Sequence, residues 1–261
     1  MLAERYDAFL FDLDGVLYRG SSPVPFAAEA LGRLRASGVG IAFVTNNSSA
    51  TPEVVADRLD AVGISAEPRE IETSALTTAS ILAARGVTNA FVLGEAGIRR
   101  ALLDAGIRPM APGDRSVDAV VVGLDRGVTY EDLRLASALV AQGASFVATN
   151  ADASFPAADG TDWPGAGALV AAIETTTGAT AEVVGKPNAP ILRAALVRAG
   201  GGSPLLVGDR LDTDIAGARA LGWDSLLVFT GIAARSDLAA SAVAPTYIGE
   251  DLRALFEDDR V

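Results

Sequence analysis

Four stretches of the chain put complementary polar groups at the ends of apolar runs. Asp12 and Asp14 follow AFLF, Thr45 and Asn46 follow GIAFV, Lys186 stands in VGKP, and Asp209 and Asp214 lie in VGDRLDTD. Short apolar runs bounded by turn residues read as buried strands. In an open parallel sheet the ligand site lies beyond the carboxyl ends of the strands, so these exits converge on one edge. Alternation along an extended backbone puts Asp12 and Asp14 on the same side, and Gly15 lets the chain turn there. Together the groups supply the parts of phosphoryl transfer. They are a carboxylate nucleophile, an acid/base, a hydroxyl and an amide for phosphate oxygens, a fixed cation, and further carboxylates for a divalent metal.

Taken singly, each stretch has a plainer reading. DxDG is as readily a turn, since Asp and Gly are ordinary turn residues. Thr45-Asn46-Asn47 reads alone as a turn before a helix, and Lys186 before Pro187 as a surface lysine. Asp212, Thr213 and Asp214 suit the N-cap of the helix that follows. Their joint occurrence in this order, each at a strand exit, favours the site over four separate coincidences.

Composition narrows the chemistry. The 261 residues carry 21 Lys and Arg against 33 Asp and Glu, a net charge of -12, with no basic cluster. Nucleic acid and anionic membranes are therefore not expected partners. An anionic substrate would need local positive charge from a metal, a lysine or helix N-termini. The absence of Cys and His removes disulfides, thiol chemistry, histidine triads and the usual zinc sites. No signal peptide and no membrane-spanning apolar run is legible, so the expected location is the cytoplasm.

The elements that must position these groups alternate. The stretch from Ala8 to Gly63 reads strand-helix-strand-helix, the start of a parallel α/β sheet. Further helices are expected over 72–85, 130–142, 169–177 and 251–260, and AEVV before Lys186 reads as a strand. The stretch 150–164 reads as a long irregular loop, and such loops in compact proteins are usually functional. The expected fold class is α/β, a doubly wound Rossmann-like parallel sheet core with a second α/β unit inserted into it.

DLDGVLY, FVTNNSS, VGKP and GDRLDTDIAGA together resemble the four motifs of the haloacid dehalogenase superfamily of phosphatases. The likeness is closest to the class IIA, p-nitrophenylphosphatase-like branch and covers essentially the whole chain. The stretch 128–173 resembles that branch's α/β cap domain, inserted between the second and third motifs. The resemblance implies a core over 1–75 and 182–261 and a cap over 76–181. It implies a Mg²⁺-dependent phosphatase for small phosphate monoesters, working through an aspartyl-phosphate. Asp12 resembles the nucleophile, and Asp14 the general acid that later activates water. Thr45 and Asn46 match the motif that binds phosphate oxygens, and Lys186 the lysine that holds the nucleophile and the phosphate charge. Asp209 matches the metal ligand, joined by the Asp12 carboxylate and the Asp14 backbone carbonyl, with Asp214 behind them. Mg²⁺, a hard cation that takes oxygen ligands, fits an all-carboxylate site.

Specificity is expected in 150–164, with Asp152 and Trp163 singled out. Relatives usually have Pro where Ala151 stands, a departure that bears on the ligand rather than the chemistry. The loop holds only Phe155 and Trp163 as aromatics, which gives base stacking little support. Glycerol 3-phosphate is the first choice of substrate; phosphoglycolate, pyridoxal phosphate, a nucleoside monophosphate or a sugar phosphate are the alternatives. Cap-to-cap dimers are common in the family, so a homodimer is compatible with the resemblance.

Three other readings fit less well. A phosphorylation-receiver domain uses similar residues but fits one small domain, without an inserted unit. A dinucleotide-binding enzyme would need G-x-G-x-x-G after its first strand, where DxDGVL stands instead. A non-catalytic protein binding a phosphorylated ligand would not need every position of the motif set.

Overall fold

The computed structural model describes residues 1–110, 114–156 and 161–257. The chain forms two compact units. The first comprises Met1–Thr45, Pro52–Glu72 and Lys186–Val261; the second comprises Asn46–Thr51 and Thr73–Gly185.

The first unit is built on a six-stranded sheet. Its order is Tyr247–Gly249, Asp224–Val228, Pro204–Gly208, Ala8–Phe11, Gly40–Thr45, Ile71–Thr73. Ala8–Phe11 pairs in parallel with Gly40–Thr45 on one side and Pro204–Gly208 on the other. The chain leaves this strand toward one edge and later returns to fill the other. Asp12 thus stands at a topological switch point, where open α/β sheets leave a crevice for ligands. The strand is AFLF with every residue buried, as expected of a parallel strand covered on both faces. Helices flank it. Ala27–Ser37 ends at Gly38, whose φ of 77° closes the last turn in the left-handed region that glycine adopts without strain. Pro52–Ala61 and Ala189–Arg198 carry proline in the first turn, where a missing N–H costs nothing.

The second unit has its own five-stranded sheet, ordered Glu182–Val183, Ser145–Ala148, Ala119–Val122, Asn89–Leu93, Arg108–Pro109, with parallel pairing throughout. Its helices are Ser74–Ala84, Ala96–Asp104, Tyr130–Ala141 and Ala166–Thr177. Thr129 and Asp132 form a capping box at the third of these, satisfying N–H groups the helix leaves open.

Several elements differ from expectation, each for a local reason. The helix expected over 72–85 starts at Ser74, because Ile71–Thr73 is a strand and Thr73 caps the helix, accepting from Leu76 N at 3.2 Å. The strand before Lys186 belongs to the second unit's sheet: Glu182–Val183 pairs with Ser145–Ala148, and Gly185 N donates to Thr149 O at 2.8 Å. The stretch 150–164 is not wholly irregular. It contains an antiparallel pair, Ser154–Pro156 with Asp162–Pro164; residues 157–160 lie outside the described residues. The helix expected over 251–260 is a single 3₁₀ turn, Leu252–Leu255, and 258–260 lie outside the described residues. Among the described residues no helix is long and apolar enough to cross a membrane.

Candidate functional site

Asp12 leaves the central strand with its N–H donated to Val207 O at 2.9 Å. The chain then turns at Gly15, whose φ is 82°. Gly15 N donates to Tyr18 O at 2.8 Å, and Thr230 Oγ1 donates to Gly15 O at 2.6 Å. A Cβ at Gly15 or Gly231 would collide with the Asp209 carboxylate, and one at Gly208 with Asp214. These glycines let backbone approach the acids closely.

Lys186 joins the acids. Its Nζ donates to Asp12 Oδ1 at 2.6 Å, to Asp214 Oδ1 at 2.7 Å and to Val44 O at 3.4 Å. Lys186 is 4% exposed, Asp12 8%, Asp209 1% and Asp214 0%. Carboxylate oxygens of Asp12, Asp209 and Asp214 lie within 4.8 Å of one another. One ammonium among three buried carboxyls cannot neutralise them all, so the acids hold on to protons. Burial, reinforced by the charges of Asp12 and Asp214, pushes Asp209 up to about 8. Burial lifts Asp214 to about 6, opposed by Lys186, and raises Asp12 against the same opposition. Burial alone would lower Lys186. The charges of Asp12 and Asp214, and the hydrogen bonds to them, raise it above its ordinary value, so it stays cationic.

Asp209 Oδ2 accepts from Ile232 N at 2.7 Å, while its Oδ1 is buried with no hydrogen-bond partner among the described residues. A buried carboxylate oxygen left unpaired is costly, and a cation beside it would satisfy it. A donor set of oxygens, without nitrogen or sulfur, suits a hard divalent ion. The residues present fit such an ion.

Asp14 has a different environment. The strand ends at Phe11, so alternation does not carry through both acids, and Asp14 is exposed where Asp12 is buried. Neighbouring protein still desolvates its carboxyl, which lies above its ordinary value despite Arg58 and Lys186. Thr45 is the buried last residue of its strand, one after the carbonyl that accepts from Lys186.

Residues 9–108 match the family described as haloacid dehalogenase-like hydrolase, and 183–255 match a second described as HAD-hydrolase-like. An acid sugar phosphatase of Staphylococcus aureus is 38% identical over 252 residues, covering 95% of this chain and 96% of that protein. The chain belongs to the haloacid dehalogenase-like hydrolases. Among solved structures, a glycerol phosphate phosphatase of Mycobacterium tuberculosis in complex with magnesium superposes with a TM-score of 0.91 at 36% identity. That match covers 97% of this chain and 77% of the other. NagD of Escherichia coli gives 0.87 at 32% identity, covering 94% and 96%.

Around the acids of this haloacid dehalogenase-like chain stand residues that its sequence did not single out. Tyr18 and Arg58 hydrogen-bond through their side chains, and burial, with the charges of Asp14 and Asp12, raises the Tyr18 phenol above its ordinary value. Nothing in the sequence separates Arg58 from any exposed helical arginine. The 229–232 turn, which supplies the N–H to Asp209, had one signal: a Thr-Gly pair after the apolar run DSLLVF. Three expected site residues lie in the second unit. Asn46 Nδ2 donates to Asp152 Oδ2 and Oδ1 at 3.3 and 3.4 Å. Asn46 O accepts from Ser74 Oγ at 2.6 Å and from Asn150 Nδ2 at 2.8 Å. Trp163 packs edge-on to Phe155 in the hairpin, ring centroids 6.3 Å apart.

Proposed function

We propose that the chain is a Mg²⁺-dependent phosphatase that hydrolyses small phosphate monoesters through an aspartyl-phosphate, with glycerol 3-phosphate as its preferred substrate. The observation that carries this is the buried cluster itself: Asp12 held at 2.6 Å by a buried Lys186 whose pKa is raised by the acids around it, beside an Asp209 oxygen with no hydrogen-bond partner among the described residues. Both the S. aureus acid sugar phosphatase and the M. tuberculosis glycerol phosphate phosphatase support the class of substrate.

In this reading a carboxylate oxygen of Asp12 attacks phosphorus and the ester P–O bond breaks. Lys186 holds the attacking carboxylate in place and balances phosphate charge. The raised pKa of Asp14 suits a general acid, which gives its proton to the departing alkoxide. Asp14 then takes a proton from water as that water attacks the phosphorus of the acyl phosphate. Inorganic phosphate leaves and the Asp12 carboxylate is regenerated. Thr45 and Asn46 bind phosphate oxygens. Asp12, Asp209 and the backbone carbonyl of Asp14 would hold Mg²⁺, with Asp214 behind them; the bound ion supplies charge neutralisation for the phosphoryl group.

The second unit is the family's cap in this reading, its 150–164 stretch selecting the leaving group through Trp163, and the cytoplasm is the location. A sugar phosphate is the second substrate reading, favoured by the S. aureus relative. Phosphate release across glycerol 3-phosphate, sugar phosphates, phosphoglycolate, pyridoxal phosphate and nucleoside monophosphates, each with Mg²⁺ or with EDTA, tests both. Release only with Mg²⁺, fastest on glycerol 3-phosphate, is expected. Release undiminished by chelation would remove the metal from the mechanism, and none on any ester would remove the phosphatase.

A further inference from the structure

We propose that Asp152 is a positioning residue for the phosphate-binding arm, its carboxylate fixing the side-chain amide of Asn46, rather than a selector of leaving groups. This rests on the reading of Asn46 as a phosphate ligand. The two oxygens of Asp152 lie 3.3 and 3.4 Å from Asn46 Nδ2. On the other side, a Cβ at Gly185 would collide with Asn46 Oδ1, so that oxygen lies over bare backbone. An ionised carboxylate only accepts hydrogen bonds. It therefore selects the nitrogen end of the amide, and the flipped rotamer would set oxygen against oxygen.

Asp152 is itself held in register. Its N–H donates to Asn150 Oδ1 at 3.1 Å, its carbonyl accepts from Gly167 N at 2.9 Å, and Asn150 Nδ2 donates to Asn46 O at 2.8 Å. Asn46, Asn150 and Asp152 thus form a closed ring of hydrogen bonds, which Ser74 Oγ braces at 2.6 Å. The ring orients the donor end of a residue joined by one peptide bond to Thr45. Every substrate carries the same phosphate, so disturbing this arm weakens all substrates alike. A leaving-group selector would weaken them unequally.

The test is calorimetric titration of the Mg²⁺-loaded protein with inorganic phosphate, together with kcat and KM on several esters. Asp152→Ala is expected to weaken phosphate about three- to tenfold, the range of one hydrogen bond, and to raise KM by a common factor on every ester. Asp152→Asn keeps an acceptor oxygen on the same frame and is expected to restore most of the affinity. Asp152→Leu, similar in size with no acceptor, makes the same test should the alanine variant not fold. The Asn46→Ala/Asp152→Ala double variant should bind phosphate no more weakly than Asn46→Ala alone. Unchanged phosphate affinity in Asp152→Ala, with KM altered on some esters only, would return Asp152 to leaving-group selection and overturn the proposal. Unchanged affinity in Asn46→Ala would instead refute the phosphate role of Asn46, and the proposal with it.

Discussion

Loading the site with Mg²⁺ should expel a proton, and the pH dependence of binding measures it. Asp209 is pushed up to about 8 by burial and by the charges of Asp12 and Asp214. Below that pH the apo protein carries a proton on the carboxyl proposed to hold the ion. Each pH unit below the pKa then weakens apparent affinity about tenfold. At pH 8 about half the molecules are already deprotonated, so lowering the pH to 6 should weaken Mg²⁺ binding about fiftyfold, or about 2.3 kcal/mol. Isothermal titration at pH 6 and pH 8, in buffers of differing ionisation enthalpy, gives both the affinity and the protons released. At pH 6 about one proton per ion is expected from Asp209, with about half of another from Asp214, which stands near 6, and almost none is expected above pH 9. Asp209→Asn, which has no proton to lose there, should bind weakly with little pH dependence. Equal affinity at the two pH values in the wild type, with no proton released, would mean that Asp209 is already ionised in the apo protein. The account of the buried cluster would then be wrong.

Other outcomes follow from the same contacts. Asp12→Asn should abolish turnover while circular dichroism and melting stay native-like, since shape is kept and only charge is lost; near-normal turnover would remove Asp12 as nucleophile. Lys186→Met leaves Asp12 and Asp214 without their cation. Breaking a buried pair costs about 3–5 kcal/mol, so Tm should fall by roughly 6–20 °C at about 2–4 °C per kcal/mol, and by less at pH 5 than at pH 8, because the orphaned acids then protonate. In the metal-free wild type the sign of pH dependence is set by Asp209, whose folded pKa lies above its unfolded value near 3.8. The folded state binds the extra proton, so apo stability should decline as pH rises from about 4 to about 8; thermal melts in EDTA check the slope. Trp163→Ala should change the ratio of kcat/KM between esters more than it changes any one kcat, and equal loss on all esters would take Trp163 out of leaving-group selection.

What was legible in the sequence, and what was not, divides by range. Asp12, Thr45 and Asp209 stand out because each ends an apolar run that is buried, but for the first residue of the latter two, on a parallel sheet, and Gly15 and Gly208 mark the turns. Lys186 does not follow a strand of the sheet that carries Asp12, contrary to what its sequence context suggests. Its preceding strand, Glu182–Val183, lies in the other sheet, and the lysine reaches Asp12 from the approach to Ala189–Arg198 rather than from the same sheet edge. The hairpin inside 150–164 was illegible because Ser154–Pro156 and Asp162–Pro164 have three residues each and end in proline. Strands that short show no period. Ile71–Thr73 escaped for the same reason, its residues absorbed into the helical spacing that follows. Partners such as Tyr18 with Arg58, or Asn46 with Asp152, join positions 40 and 106 residues apart, and no local pattern encodes them.

The cluster runs against the rule that buried charges come paired. Of three buried carboxyls Lys186 pairs with two, Asp12 and Asp214, and among the described residues Asp209 Oδ1 has no hydrogen-bond partner. Replacing such a group with apolar side chains is often neutral or stabilising, so fold stability does not account for the arrangement. A divalent cation would: with all three acids ionised it would cancel the two excess charges, satisfy Asp209 Oδ1 and leave Asp12 ionised beside Lys186. The features that make the metal-free site unfavourable, Asp209 raised to about 8 and Asp214 to about 6, are those that an ion would reverse. The misfit of these acids supports the proposal that Asp12 and Asp209 would hold a divalent ion.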